Sequence, residues 1–533
     1  MKIIDIIILV AYLCGIMFLG SFIGKKNKKG SGEEYLSGGR SMPWYAIGLS
    51  VGLTMISANT FIGGPGWAYN DGIVAAMVNI SVPLSIFFIT YTILPIVYST
   101  KVVTVYEYVN LRFGTKTRIL NVVAWLIQSL IFVGGFVYTP SLVLEAITGV
   151  SMKIWVPLLI IMTTFYAVAG GIKAAIWADM IQGIILFTGL VLGIIVASSG
   201  LDMPLGAAIN IARQAGLTQS FDFSFSGNKL TIWCAFIGGF CMWAGYFGFD
   251  QGQVQRYITA KDVRTIKKTG IMSSIGMQSI YWLCFFLGII LYVFYQTNAH
   301  TLDFVNTNNV MIDFLINYCP HGLLGILLAA MFSAAMSSIA AVINSMSAVF
   351  IRDIYEPYIS KKPNTPLSKS ILFSSISGIV VIVFVYLYLG DSTASILLTI
   401  GKYTAPTAST LTGIMLCSLF IPCTNDNGCF FGSILAVISS MFIGSMLPDL
   451  YYLWSYAYTT LLCIVFSYLL SKLMPNPDES KRAFPYTLKG ARIALKGKTD
   501  ETGCSIEPLK FDKYGYITLG VLVVQIIILA LLQ

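Results

Sequence analysis

The sequence predicts an all-α polytopic membrane protein of about 14 transmembrane helices, and three observations predict it. Of 533 residues, 56% are hydrophobic and only 11% charged, whereas a soluble domain runs near 25% charged. The mean hydropathy is +0.78, a composition that water cannot wrap. Apolar stretches close to the ~20 residues that span a bilayer recur along the chain between short polar segments.

In order, the stretches fall at 3–24, 43–68, 73–98, 119–146, 151–170, 175–199 and 230–252. The rest fall at 270–296, 321–351, 370–390, 393–420, 428–447, 450–472 and 515–533. The first has one lysine before it and four after it, the reverse of a secretory leader, and lacks a small-residue cleavage site. It is expected to be a retained span.

Lys and Arg cluster in alternate loops: 27 of the 33 fall on one side. The positive-inside rule makes that side the cytoplasmic one and places both termini outside, in a plasma or inner membrane. The net charge of +9 is thereby an orientation signal that requires no nucleic acid. The lipid bilayer is the expected partner, and no obligate protein partner is evident. The ten cysteines lie mostly singly in apolar stretches, without zinc-type spacing. The polar segment 473–514 is too poor in apolar periodicity to be a domain and reads as an inner tail or regulatory linker. His300 and His321 are expected in or beside outer loops, solvated.

Broken helices are costly in lipid, so breaks carry information. The second span holds Gly63, Gly64, Pro65 and Gly66 after a polar cluster of Ser57, Asn59 and Thr60; the seventh holds Gly238, Gly239, Gly245 and Gly248. Two readings stand: paired interruptions of an inverted-repeat transporter with a midplane site, or close helix packing. The ninth span puts Ala334, Ser337 and Ser338 on one stripe with Ser333. Its oxygens suit either a hard cation or helix packing.

Five ordered segments carry a resemblance: EEYLSGGRSMPWYAIGLS (33–50), TVYEYVNLRFG (104–114), YAVAGGIKAAIWADMIQGIILFTG (166–189), GFDQGQVQRYITAKD (248–262) and AAMFSAAMSSIAAVINSMSAVFIRDIYEPYI (329–359). On these the chain resembles the sodium:solute symporter family from about Glu34 to Tyr358, and more weakly to Cys423. The resemblance implies a five-plus-five inverted-repeat, leucine-transporter-like core. An extra helix and inner loop at 1–42 would precede a first repeat at 43–199 (spans 2–6) and a second at 200–420 (spans 7–11). Three C-terminal helices at 421–533 would follow, with the inner polar loop between them. It also implies Na⁺-coupled import of a small solute by alternating access. The sodium site would use the carbonyls of Leu53 and Ile56, where the second span would break, the carbonyl of Ala334 and the hydroxyls of Ser337 and Ser338, a hard-oxygen set suited to an alkali cation. Asp179 would lie nearby, attracting the ion or held in an ion pair, perhaps with Lys173. Ala340 and Ala341 replace the hydroxyls of a second site, so one Na⁺ per substrate is expected.

The family's substrate pocket maps onto Ser57, Asn59, Thr60, Asn79, Trp243, Tyr246 and Gln278. A galactose-type hydrogen-bond set is not reproduced, since Thr60, Asn79, Trp243, Gln278 and Gly401 stand at those places. Lys402 lies about ten residues inside the eleventh span, where a bare ammonium is costly. It would either receive a carboxylate or other anion, or pair structurally. The alternatives are a sodium/sugar symporter with a non-standard pocket, or a Na⁺ channel or solute sensor on the same fold. No HExxH or acid/His constellation lies in the spans, which argues against an enzyme.

Overall fold

The computed structural model describes residues 2–27, 31–363, 365–388 and 396–533; the side chains of 26, 27, 387, 388 and 396–403 lie outside the described residues. Among the described residues, eleven helices are long and apolar enough to cross a membrane. The expected count of 14 is not reached on that measure: the second and third and the fifth and sixth expected spans are each counted together, and the eleventh, 393–420, lies partly outside the described residues. The fifth and sixth expected spans are two helices within Met152–Ser199 that meet at a kink at Gly171 (φ 60°, ψ −155°), and they are counted as one. Gly171 takes a backbone conformation that side chains disfavour, and a Cβ there would sit 2.7 Å from the Tyr35 carbonyl oxygen. The second span is divided, and its first part is only ten residues long.

The chain opens with α1 (Ile3–Asn27), then α2 (Trp44–Leu53), α3 (Ala58–Asp71), α4 (Val82–Tyr91), α5 (Ile93–Thr100), α6 (Val105–Arg112), α7 (Thr115–Thr148) and the bent α8 (Met152–Ser199). A short α9 (Leu205–Gln214) precedes α10 (Ile232–Phe249), α11 (Gln251–Ile258), α12 (Val263–Thr297) and a second short helix, α13 (Asn308–Asn317). Then come α14 (Leu323–Val349), α15 (Leu367–Tyr388), α16 (Ile396–Phe420), α17 (Asp426–Met446) and α18 (Tyr452–Leu473). Two small helices, α19 (Pro477–Ala483) and α20 (Leu488–Ala494), lie in the polar loop before α21 (Lys513–Leu532).

Two helices are broken, though not at their glycines. The second span breaks between α2 and α3, at residues 54–57, and Pro65 sits inside the continuous α3. The break is self-satisfying: Ile56 N–H donates to the Leu53 carbonyl at 2.9 Å, and Ser57 caps α3 by accepting from Asn59 N–H at 3.2 Å. The seventh span runs unbroken past all four glycines and turns at Asp250 (φ −76°, ψ 125°), which caps α11. The glycines serve close packing instead. A Cβ on Gly66 would lie 1.9 Å from the Thr307 carbonyl oxygen, and one on Gly238 would lie 2.2 Å from that of Leu453. Both breaks lie at a similar depth, ten residues from one end of the second span and eight from the matching end of the seventh. Those two ends are tied by Met42 N–H donating to the Thr259 carbonyl at 3.2 Å.

Several basic residues of the loop clusters prove to be internal ties. Arg112 is fully buried and donates to the carbonyls of Ser418, Ile421 and Thr424 at 2.9–3.1 Å, capping the end of α16. Arg118 pairs with buried Asp353 at 2.7 Å. The histidines also have partners: His300 stacks on Phe304 with centroids 4.3 Å apart, and His321 lies 3.4 Å from Asp5.

Candidate functional site

The break at residues 54–57 faces the serine stripe of α14. Ser338 Oγ donates to the Thr54 carbonyl at 2.8 Å and is 3.2 Å from the Ala334 carbonyl of its own helix. Ser337 Oγ donates to Asp179 Oδ1 at 2.6 Å. The structure thus brings Ala334, Ser337, Ser338 and Asp179 to the break that Leu53 and Ile56 flank. The carbonyl at the break that a serine meets is that of Thr54, while that of Leu53 is occupied within the turn. Each serine hydrogen is committed to a carboxylate or carbonyl, which leaves the hydroxyl lone pairs free for a cation.

Asp179 does not pair with Lys173, which reaches Glu34 at 2.9 Å. Its partner is Arg256 of α11, with Nη2 at 2.9 Å from Oδ2, and both side chains are fully buried. Ser50 of α2 joins them: its hydroxyl donates to Asp179 Oδ2 and accepts from Arg256 Nε at 2.6 Å. Arg256 Nη1 also donates to the Gly252 carbonyl at 2.5 Å. Four elements, α2, α8, α11 and α14, therefore converge on one buried carboxylate. An ion pair so deep survives only when its remaining donors and acceptors are satisfied, and here they are.

Arg256 and Ser50 were not singled out from the sequence. Arg256 is one of the 27 basic residues that fall on the inner side, yet the run Gln251, Gln253, Gln255, Arg256 carries a signal, four polar side chains crowded into one turn and a half. All four are buried. Gln251 bridges Val105 N–H and the Val103 carbonyl, Gln253 donates to Tyr246 Oη at 2.5 Å, and Gln255 joins the Leu36 carbonyl to Ser345.

Beside the break lies a cavity of about 420 Å³, within the range of small-molecule sites. It runs from Met55 and Ser57 at the break to Asn70 and Asp71 at the far end of α3. Of the expected substrate residues, Ser57, Asn59, Thr60, Asn79, Trp243 and Tyr246 line it. Asn79 is 2% exposed, and neither end of its amide has a partner. Asn59 accepts from Thr139, and Trp243 Nε1 donates to the Val78 carbonyl at 3.0 Å. Gln278 does not line the cavity. Its amide donates to the Asn79 backbone carbonyl at 2.7 Å and accepts from Gln525 at 3.2 Å, so both ends are consumed in packing α12. Lys402 lies in α16, but its side chain is outside the described residues. Asp250 and Gln128, not anticipated, also line the wall, with Phe132, Phe136, Tyr281 and Phe285.

A membrane helix bundle with two broken helices, a buried serine and carboxylate cluster at one break and a solute-sized cavity beside it defines a transport protein. The family model for the sodium:solute symporter family matches residues 35–436. The chain belongs to that family. It is 28% identical to Sodium-coupled monocarboxylate transporter 1 of Xenopus laevis, over 82% of this chain and 70% of that protein. It is 27% identical to the Sodium/sialic acid symporter NanT of Aliivibrio fischeri, over 88% and 93% respectively. Among solved structures, a Na⁺-coupled sialic acid symporter in a substrate-bound outward-open state superposes with a TM-score of 0.79 at 25% identity, covering 89% of this chain and 98% of that one. Mhp1, a nucleobase-cation-symport-1 family transporter in a closed conformation, shares the fold at a TM-score of 0.54 and 14% identity, over 84% of this chain and 97% of that one.

Proposed function

We propose that the protein is a Na⁺-coupled secondary active symporter that imports a small organic solute by alternating access. The observation that carries this is the meeting of the broken second span with Ser337, Ser338 and Asp179, beside a solute-sized cavity. Leu53, Ile56, Ala334, Ser337 and Ser338 form the candidate Na⁺ cage, to which we add the Thr54 carbonyl. Asp179, held by Arg256, orients the Ser337 hydroxyl so that its lone pairs face the ion. With an inward-negative potential, one entering Na⁺ contributes about 2.3 kcal/mol per 100 mV beyond its concentration gradient, so one ion per solute is sufficient to drive uptake.

The cavity reaches the end of α3 opposite the basic loops, while its other side is crossed by the α11 ties. That arrangement supports an outward-facing state, with both termini outside. The similar depth of the two breaks supports inverted repeats at 43–199 and 200–420.

For the solute, a carboxylate or other anion is our first reading, and here Lys402 is decisive. Among the described residues no Lys, Arg or His lines the cavity, and Asp71 and Asp250 do. An anion therefore depends on Lys402. The second reading, a neutral solute such as a sugar held by a non-standard hydrogen-bond set, is favoured by the unpartnered Asn79 amide.

Proteoliposomes loaded with K⁺ and given external Na⁺ test the function across a panel of carboxylates, sugars and amino acids. Saturable uptake that requires Na⁺ is expected. Uptake that persists in K⁺ and follows a proton gradient sinks the coupling assignment. Lys402→Ala is expected to lower uptake of anionic solutes and spare neutral ones.

A further inference from the structure

The polar loop between α18 and α21 is an ordered strap. Asp500 accepts from Val263 N–H at 2.9 Å at the start of α12, and Arg264 Nη2 donates to the Thr502 carbonyl at 2.6 Å. Leu509 N–H donates to the Tyr91 carbonyl at 2.8 Å, and Lys267 pairs with Asp512 at 2.7 Å. Tyr108 Oη donates to the Tyr486 carbonyl at 2.9 Å. The strap is thus fastened to the ends of α4, α6 and α12. Both helices that flank it are candidate membrane spans, so it lies against one face of the bilayer.

Its outward side has a distinct chemistry. Between residues 481 and 498 it carries Lys481, Arg482, Lys489, Arg492, Lys496 and Lys498 and no acidic residue. All six are exposed. Among the described residues only Arg492 has a carboxylate within salt-bridge distance, Glu507 at 3.6 Å. Helix α20 turns Leu488, Gly490 and Ala491 inward, and beside Arg492 it leaves Ile493 64% exposed. An exposed apolar side chain among six cations, five of them without a salt bridge among the described residues, next to a span end, matches the boundary between headgroups and acyl chains.

We propose that residues 481–498 are a docking surface for anionic phospholipid headgroups of the bilayer in which the protein sits. Each cation held at an anionic surface strengthens attachment by about fivefold, so six give a strong preference for anionic over zwitterionic lipid. The docked strap then fixes the ends of α4, α6 and α12 to the membrane plane, on the side where α11 closes the site. The surface is independent of which solute is carried.

The test uses the full chain in nanodiscs of phosphatidylcholine alone or with 30% phosphatidylglycerol, read by amide hydrogen exchange. Exchange across residues 481–498 is expected to slow by roughly tenfold with phosphatidylglycerol, and the protection should fade at high salt as surface charges are screened. A variant with all six cations changed to Gln is expected to exchange alike in both discs while unfolding at the wild-type temperature. A variant with Lys and Arg interchanged, which keeps the charge, should restore the lipid response. Equal exchange of the wild-type strap in the two discs, or an undiminished lipid response in the Gln variant, overturns the proposal. Protection that appears only on adding nucleic acid or a soluble acidic protein overturns it in favour of that partner.

Discussion

The Asp179 and Arg256 pair gives the sharpest test of the site. Arg256→Met keeps the volume and removes the guanidinium, deleting contacts at 2.9 Å and 3.3 Å to Asp179 Oδ2, 2.6 Å to Ser50 and 2.5 Å to the Gly252 carbonyl. Asp179 is fully buried, and only the Ser337 and Ser50 hydroxyls would remain to hold its charge. Removing one partner of such a pair costs about 3–5 kcal/mol, whereas removing both charges costs far less. Asp179→Asn in the same chain should therefore recover about 2 kcal/mol or more of the loss, a clear departure from additivity. Thermal unfolding in detergent, followed by tryptophan fluorescence in NaCl and in choline chloride, measures both effects. With Arg256 gone, Na⁺ becomes the available counter-charge, so the Na⁺-dependent rise in melting temperature should be larger in Arg256→Met than in wild type. Tenfold tighter Na⁺ binding is about 1.4 kcal/mol. An Arg256→Met protein within ~1 kcal/mol of wild type, or strictly additive single changes, would refute the charge argument. An unchanged Na⁺ response would remove Asp179 from the ion's surroundings.

Three further outcomes follow from the same geometry. Ser338→Ala removes the 2.8 Å bond to the Thr54 carbonyl, so about 1 kcal/mol of stability and most of the Na⁺-dependent thermal shift should be lost; a wild-type Na⁺ titration would strike Ser338 from the cage. Gly238→Ala places a Cβ 2.2 Å from the Leu453 carbonyl oxygen, whereas one at Gly206 meets nothing within 4 Å. The first should destabilise by about 1–3 kcal/mol and the second should not, as compared by thermal unfolding. Burial pushes the Asp512 carboxyl up, but bonds from Lys267 and Tyr91 outweigh it and hold the group below its ordinary value. Its contribution is therefore present above the unfolded pKa of about 3.9 and lost as pH falls through the lower folded value. The strap should resist protease at pH 6 and lose that resistance progressively as the pH falls below the unfolded value, and Asp512→Asn should yield already at pH 6.

Much of this protein was legible in the sequence. Apolar length set the spans, because lipid forces every backbone group to be satisfied within its own segment. Helical spacing put Ser337 and Ser338 on one stripe, and a carboxylate as costly as Asp179 in a span marks either a candidate site or a buried ion pair. The cavity wall was anticipated at Ser57, Asn59, Thr60, Asn79, Trp243 and Tyr246.

Tertiary structure decided the rest. Asp179 chose Arg256, 77 positions away, over Lys173, because the bend at Gly171 and the short α11 set which charges meet. Gln278 was consumed by Gln525 and the Asn79 carbonyl, partners that only the packing of α12 and α21 supplies. The break at residues 54–57 is the one the resemblance implied at Leu53 and Ile56, whereas the turn of the seventh span at Asp250, past its glycine cluster, was decided by packing. A helix in a membrane breaks where the freed backbone groups find new partners, here the Ser57 cap and the Ser338 hydroxyl. Glycine only permits close approach, and what approaches is a property of the whole fold.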